Sequence, residues 1–404
     1  VISENVDYLK SFSLGFWFDV GSRDEVSANN GITHFIEHML FKGTKKRNAK
    51  QIADEIESSG GYLNAFTSKE HTCYYGRGLC SHIEKAFDVL ADMVQNPAFK
   101  PAEIKKESGV VIDELYDIED SPEELIFDKF EEAVFKKNSL NLPIIGTESN
   151  IQAFSQTDLN NYIAEKYGSN KLIIAASGAV DHDQIVKLAQ KYVTKDFAKS
   201  KVKRKNTPIK KGGDTLKVIE KDIQQIHAIL GRMTYGYKDE ARMKIAVFNQ
   251  VLGEGSSSRL FQAVREKNGI AYQVNTFLNS FYDVSTFGVY LSTNEKMMDK
   301  ALSIIYKEFK KIREKKVSGK ELSKAKESLK GGLIIGLESA SHRMTRIAQS
   351  EIYFNEIRTV EESLEKIDLV TADDILEAAN ELLIEDMFDK VIIKSQKSKL
   401  KFAA

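Results

Sequence analysis

Residues 12–25 read FSLGFWFDVGSRDE, and the same succession of residue types returns in the second half of the chain as IHAILGRMTYGYKDE at 226–240. In the first copy Phe12, Leu14, Phe16, Phe18 and Val20 alternate with other residues, which predicts a strand with one face in a core. In the second copy Ile226, Ala228 and Leu230 do the same. Each strand ends at Gly-x-x-Asp-Glu, from Gly21 to Glu25 and from Gly236 to Glu240. An apolar helical stretch follows each, through Ile32, Phe35, Ile36 and Leu40 in one half and Ile245, Val247, Phe248 and Leu252 in the other.

The parallel continues outward from these stretches. Each half next shows a glycine (Gly61, Gly269), an aromatic and β-branched strand region, a long helix (83–95, 296–313) and a charged helix. In the charged helices Lys106-Glu107-Ser108 aligns without a gap with Lys326-Glu327-Ser328. Self-similarity at a spacing near half the chain means two domains of one fold, not a solenoid of short repeats. Between them, residues 199–213 hold seven Lys or Arg, no acid, Pro208 and Gly212-Gly213, a linker composition whose charge reads as a solvated face. The expected domains are therefore 1–205 and 206–404. Strands and helices do not alternate regularly, so the fold class is α+β, each domain a mixed or antiparallel sheet packed with helices.

Composition narrows the function. The 404 residues include 58 basic and 59 acidic ones, a formal net charge of −1. No polybasic field exists to attract nucleic acid or an anionic membrane surface. No apolar run approaches the roughly 18 residues of a membrane span. The chain opens on Val1 without a basic-then-apolar leader, so a leader has been removed or the start lies upstream. Two cysteines, Cys73 and Cys80, are too few for a disulfide framework and are expected to be half-buried packing residues in a reducing compartment. The expected location is the cytoplasm, or the mitochondrial matrix if a leader has been cut away.

Seven histidines are present, and two of them stand in His34-Phe35-Ile36-Glu37-His38. On a helix the residues i, i+3 and i+4 share a face, so both imidazoles and the Glu37 carboxylate project into one patch. Two neutral imidazoles so placed can grip one Zn²⁺, and the carboxylate beside them can take a proton from water. A catalytic zinc site needs a third protein ligand. The helix expected from Pro101 onward carries Glu107 and Glu114, seven apart and so on one face. Glu107 aligns with Glu327 in the second half, whereas Glu114 aligns with Ile334. The second half also replaces the histidine motif by Val247-Phe248-Asn249-Gln250-Val251. The acid lost together with the histidines is Glu114, which is taken as the third ligand, while Glu107 orients a ligand or is a structural carboxylate.

The stretch HFIEHMLFKGT at 34–44 resembles the inverted zinc motif of the pitrilysin and mitochondrial-processing-peptidase family, with Glu next to the second His. The resemblance covers nearly the whole chain. It includes GSRDE at 21–25, Asn64-Ala65-Phe66-Thr67-Ser68 with Glu70 and Thr72, the run 107–114, and GSSSRLFQAVREKNGIAY at 255–272. It implies the half-length class of two related domains, with His34, His38 and Glu114 binding one zinc ion, Glu37 as general base and Glu107 in support. It further implies that Asn64 and Ala65 line an edge strand to which a peptide adds. Arg265 and Tyr272 match an Arg and a Tyr, seven apart, that hold substrate backbone in the second domain. Lys137-Asn138-Ser139-Leu140-Asn141-Leu142-Pro143 departs from a His-Pro-Leu-Gly type loop common in relatives and touches no expected ligand.

The expected function is that of a zinc metalloendopeptidase acting on unfolded peptides or short polypeptides. A homodimer is expected, because one chain resembles half of the family's enclosed chamber. The alternatives are a non-catalytic structural subunit and the catalytic half of a heterodimeric presequence-processing peptidase with a non-catalytic homologue. His71 could approach the metal but reads better as a structural imidazole, and His82, His182, His227 and His342 have no companions at ligand spacing.

Overall fold

A computed structural model describes residues 1–210 and 212–398. Lys211, one of the seven linker cations, lies outside the described residues. The first sheet contains β1 (Ile2–Asn5), β2 (Ser11–Phe18), β3 (Tyr62–Thr67), β4 (Thr72–Leu79) and β5 (Leu172–Gly178). Its strand order is β1-β5-β2-β4-β3; β1 is parallel to β5 and the remaining neighbours are antiparallel. The second sheet contains β6 (Leu216–Lys221), β7 (Ile226–Tyr235), β8 (Ala271–Ser280), β9 (Val284–Thr293) and β10 (Asp389–Ser395). Its order is β6-β10-β7-β9-β8, with β6 parallel to β10. The two orders are one permutation five strands apart, so the repeated sequence is a repeated α+β sheet.

The chain forms two compact units that are not contiguous stretches. Val1–Asp117, Leu142–Lys205 and Gly336–Ile357 make the first; Ile118–Asn141, Asn206–Ile335 and the described residues from Arg358 onward make the second. The ranges 1–205 and 206–404 differ from these units by two helical segments. The first half sends a helix into the second unit, and the second half sends one into the first.

The helices of the first unit include α1 (Ile32–Leu40), α2 (Ala49–Glu57), α3 (Ile83–Gln95) and α4 (Pro101–Asp120); α1, α3 and α4 follow the order expected from the sequence, and α2 is an addition to it. Asn48 caps α2 by accepting from the Gln51 amide while the Gln51 side chain accepts from the Asn48 amide, a reciprocal box that fixes its start. The strand β2 departs from expectation, because both of its faces are buried. On one side Phe16 meets Phe87 of α3 edge-on, with ring centres 5.1 Å apart. On the other side Trp17 packs with Cys73, Ala175, Met344, Ile347 and Ala348, the last three from the helix Ala340–Phe354. Gly15 permits that approach, since a Cβ there would lie 2.9 Å from the Met344 sulfur. The alternating pattern of β2 thus marks which side chains meet α3, and the odd positions fill a second core supplied by residues more than 300 positions away in sequence.

The second unit mirrors this. Phe287, Val289 and Leu291 of β9 join a core with Phe248, Ile305 and Phe309. Val284 and Tyr290 of the same strand join another with Ile126, Phe130 and Val134 of α5 (Pro122–Val134). Ser121 caps α5 by accepting from the Glu124 amide, and Pro122 sits at its first position. Burying each of these large side chains contributes about 1.5–3 kcal/mol.

Two further expectations change. Neither cysteine is half-buried: Cys73 is fully buried and Cys80 is exposed. The linker charge is not all solvated. Arg204 pairs with Asp19 at 2.6 Å and with Asp24 at 2.6 Å, and also donates to the Glu70 carbonyl at 2.6 Å. A buried ion pair, Arg23 to Glu70 at 2.5 Å, lies beside it. Alternate exposure along an extended segment turns Arg204 inward while Lys201, Lys203 and Lys205 face solvent.

Candidate metal centre

The helix α1 is held at its N-terminus by backbone geometry and by a buried acid. Gly31 caps it at φ +97°, a conformation open to glycine. A Cβ there would also lie 2.6 Å from the Ile145 carbonyl oxygen and 2.7 Å from the Gly146 Cα. Glu25, 3% exposed, accepts from the Gly31 and Thr33 amides at 2.8 Å each and from the Asn30 side chain at 2.9 Å. The Glu25 carboxylate thus accepts from amides that the first turn of a helix leaves without partners. Burial pushes the Glu25 carboxyl up to about 7, against the pull of these hydrogen bonds. The Thr33 hydroxyl meets the Tyr162 hydroxyl at 2.7 Å and ties the turn from the other side.

Anchored in this way, α1 presents His34 and His38 with ring centres 4.7 Å apart. Glu114 arrives from α4, with one carboxylate oxygen 3.7 Å from His34 Nε2 and the other 3.5 Å from His38 Nε2. One ligand atom from each of His34, His38 and Glu114 lies within 4.8 Å of the others. Glu107, two turns earlier on α4 and 2% exposed, stands 2.9 Å from His38 Nδ1. With a carboxylate as acceptor, Nδ1 carries a proton to Glu107, and Nε2 is the ring nitrogen turned toward Glu114. Lys42 donates to the other Glu107 oxygen at 2.7 Å.

These contacts set the protonation. Burial and the nearby His38 lower His34 to about 4, with Glu114 acting in the opposite sense. Burial opposes charge on His38, but the hydrogen bonds to Glu107 and Glu114 outweigh it and push His38 up to about 9. Burial works against charge on Glu107, yet His38 and Lys42 hold its carboxyl below the usual range. Two imidazoles and a carboxylate are the donor set of hydrolytic zinc sites, with a fourth position left for water. Nε2 of both histidines lies beside the anionic Glu114, and a divalent cation there would replace the proton that His38 Nε2 shares with Glu114, so the donor set fits such an ion in chemistry and in mutual reach.

Glu37 sits on the same turn as the histidines. Burial raises its carboxyl, while a 2.5 Å hydrogen bond donated by the Thr67 hydroxyl and the nearby His38 pull it down. Thr67 ends β3, whose outer edge has no neighbouring strand among the described residues. Asn64 and Ala65 lie on this edge strand; Asn64 is exposed, donates to the Tyr62 hydroxyl at 2.6 Å and accepts from the Ala65 amide at 2.9 Å. Arg265 and Tyr272 belong to the second unit, the guanidinium 5.8 Å from the centre of the Tyr272 ring, which is 66% exposed. His71 is buried near Trp17, Phe66 and Tyr353, and burial and Arg204 lower it to about 4.

Sequence reasoning brought His34, Glu37, His38, Glu107 and Glu114 to one place and left out Thr67, Lys42 and Glu25 as their partners. Lys42 lies in the helical spacing after His38 and so carried a signal. Glu25 lay in the repeated Gly-x-x-Asp-Glu, but nothing in that pattern shows it folding back six to eight residues onto α1.

A two-unit α+β chain with this cluster on its first unit matches the description of insulinase, or peptidase family M16, over residues 1–148, and that of the M16 peptidase inactive domain over residues 153–329. The chain belongs to peptidase family M16. It is 36% identical to an uncharacterized zinc protease of Mycobacterium leprae, covering 95% of this chain and 87% of that protein. It is 34% identical to the uncharacterized zinc protease YmxG of Bacillus subtilis, covering 96% and 94%. A crystal structure of a Helicobacter pylori protease superposes with a TM-score of 0.88 at 22% identity over 97% of this chain and 96% of that one. A Pseudomonas fluorescens structure described as a peptidase M16 inactive domain gives 0.89 at 20% identity over 98% and 96%. No described helix is long and apolar enough to cross a membrane.

Proposed function

We propose that the chain is a zinc-dependent endopeptidase that hydrolyses unfolded peptides or short polypeptides, with one Zn²⁺ held by His34, His38 and Glu114. The observation that carries this reading is the convergence of those three ligand atoms within 4.8 Å, with Glu37 on the same turn of α1. When bound, the ion would lower the pKa of a water and polarise a carbonyl. Glu37 accepts the proton of the attacking water and, as the acid, returns it to the leaving amine. Glu107 fixes the His38 tautomer. Asn64 and Ala65 on the free edge of β3 take the substrate backbone as an added strand, a mode that reads main chain more than side chains and suits broad specificity. Arg265 and Tyr272 give the second unit a part in holding substrate, and the active species is a homodimer. The two cysteines, one buried and one exposed, suit a reducing compartment such as the cytoplasm.

The test is mass spectrometry of an unstructured peptide of roughly 20 to 30 residues, a length that an extended strand can thread, after incubation with wild type, Glu37→Gln and His38→Ala. Discrete fragments from wild type, none from Glu37→Gln with its metal retained, and loss of both metal and turnover in His38→Ala are expected. An intact peptide beside metal-loaded wild type, or unchanged cleavage by Glu37→Gln, overturns the reading.

A further inference from the structure

Thr67 joins two parts of the site that the sequence treats separately. It is the last residue of β3, the strand that carries Asn64 and Ala65, and its hydroxyl donates to Glu37 Oε2 at 2.5 Å. Among the described residues it is the one side chain that donates a hydrogen bond to the Glu37 carboxylate. The carboxylate hangs from a flexible side chain, so without that bond the torsions that aim its two oxygens are free. With Oε2 accepting from Thr67, Oε1 is the oxygen that takes no hydrogen bond from a side chain among the described residues. The strand end is itself fixed. Thr67 pairs with Thr72 of β4 in register, and the turn between them is closed by Ser68 donating through its amide to the His71 carbonyl at 2.8 Å and through its hydroxyl at 2.9 Å.

We infer that Thr67 is a positioning residue for Glu37, so that the edge strand to which a peptide would add also aims the group that takes the proton. The inference rests on the reading of Glu37 as general base. It deepens that reading by making the docking strand and the base one mechanical element. The hydroxyl carries this role, and the methyl group of Thr67 does not. Valine keeps the shape of threonine and removes only the donor, whereas serine keeps the donor and removes only the methyl.

The experiment compares wild type, Thr67→Val and Thr67→Ser by steady-state cleavage of the same unstructured peptide, together with crystal structures of the metal-free proteins. In Thr67→Val, kcat should fall by about 10- to 100-fold, the range for losing a hydrogen bond to a charged group. KM should stay within about twofold, because β3 keeps its main-chain edge. Thr67→Ser should recover most of kcat. In the crystal structures the Glu37 carboxylate should turn away from its wild-type orientation in the valine variant and keep it in the serine variant. An unmoved carboxylate in Thr67→Val overturns the inference even if wild type proves inactive, so that result is separate from failure of the peptidase reading. A kcat in Thr67→Val within twofold of wild type, a loss confined to KM, or a serine variant as impaired as the valine one also overturns it.

Discussion

Buried Glu107 pairs with half-buried His38, with the carboxylate oxygen 2.9 Å from Nδ1 of an imidazole whose other nitrogen faces Glu114. The pair explains why an acid shared by both halves of the sequence matters differently in each. In the first unit it has a histidine to orient. Its counterpart Glu327 is 68% exposed and meets only Lys330 among the described residues, at 2.7 Å.

Glu107→Gln should therefore bind zinc about 10- to 100-fold more weakly than wild type while remaining folded, the usual effect of removing the carboxylate behind a ligating histidine. Competition against a chromophoric chelator measures this. Affinity equal to wild type would assign Glu107 a packing role alone.

Glu25 and His71 should impose opposite pH dependences on stability. Burial lifts Glu25 from 4.5 to about 7, so between those values the folded protein holds a proton that the unfolded chain has released, and stability falls as pH rises. Burial lowers His71 from 6.5 to about 4, so over that window the unfolded chain holds the extra proton and stability falls as pH drops. Each effect is on the order of 3 kcal/mol, and they offset one another where the windows overlap. Relative to wild type, Glu25→Gln should gain stability with rising pH from 4.5 to 6.5, and His71→Gln should lose it. Urea denaturation across that range reads both slopes, and parallel curves for the two variants would refute the assignment.

Arg204→Ala should destabilise the first unit by about 3 kcal/mol, because it strands Asp24, whose side chain is 1% exposed, without its cation. Lys201, Lys203 and Lys205, exposed on the same segment, should each tolerate alanine within about 0.5 kcal/mol. Equal effects at all four positions in chemical denaturation would contradict the inward turn of Arg204.

Gly31→Ala should disturb α1 at its root. The added methyl meets both an unfavourable φ and the Gly146 backbone, and a loss of roughly 2 kcal/mol or more is expected. Zinc affinity should drop in the same variant, since Glu25 loses its grip on the first turn. Calorimetric Tm and metal titration on one sample test both halves of the statement.

The central strand of each repeat was legible because hydrophobic alternation is local, whereas β1, β5, β6 and β10 carried no such signal. Phe12 to Phe18 announced β2, and the repeat announced β7. The convergence of His34, His38 and Glu114 was equally legible, since His34, Glu37 and His38 share one helical turn and the loss of Glu114 in the second half separated it from Glu107. What the sequence hid was long-range closure. No periodicity in β2 tells that Trp17 will be covered by Met344, or that a linker arginine will reach back to Asp19. The hydroxyl of Thr67 was quoted within a motif, yet its partner could be found only once β3 and α1 had been brought side by side.

The exchanged helices set an order on synthesis. The first sheet is laid down by residue 178, but the far face of Trp17 stays bare until Met344 has left the ribosome, some 165 residues later. Likewise α5 waits for β7 and β9, which end at residue 293, and for β10, which follows only at 389–395. The nascent chain must therefore carry exposed aromatic surface through most of its translation, and neither unit can finish before the other is nearly complete.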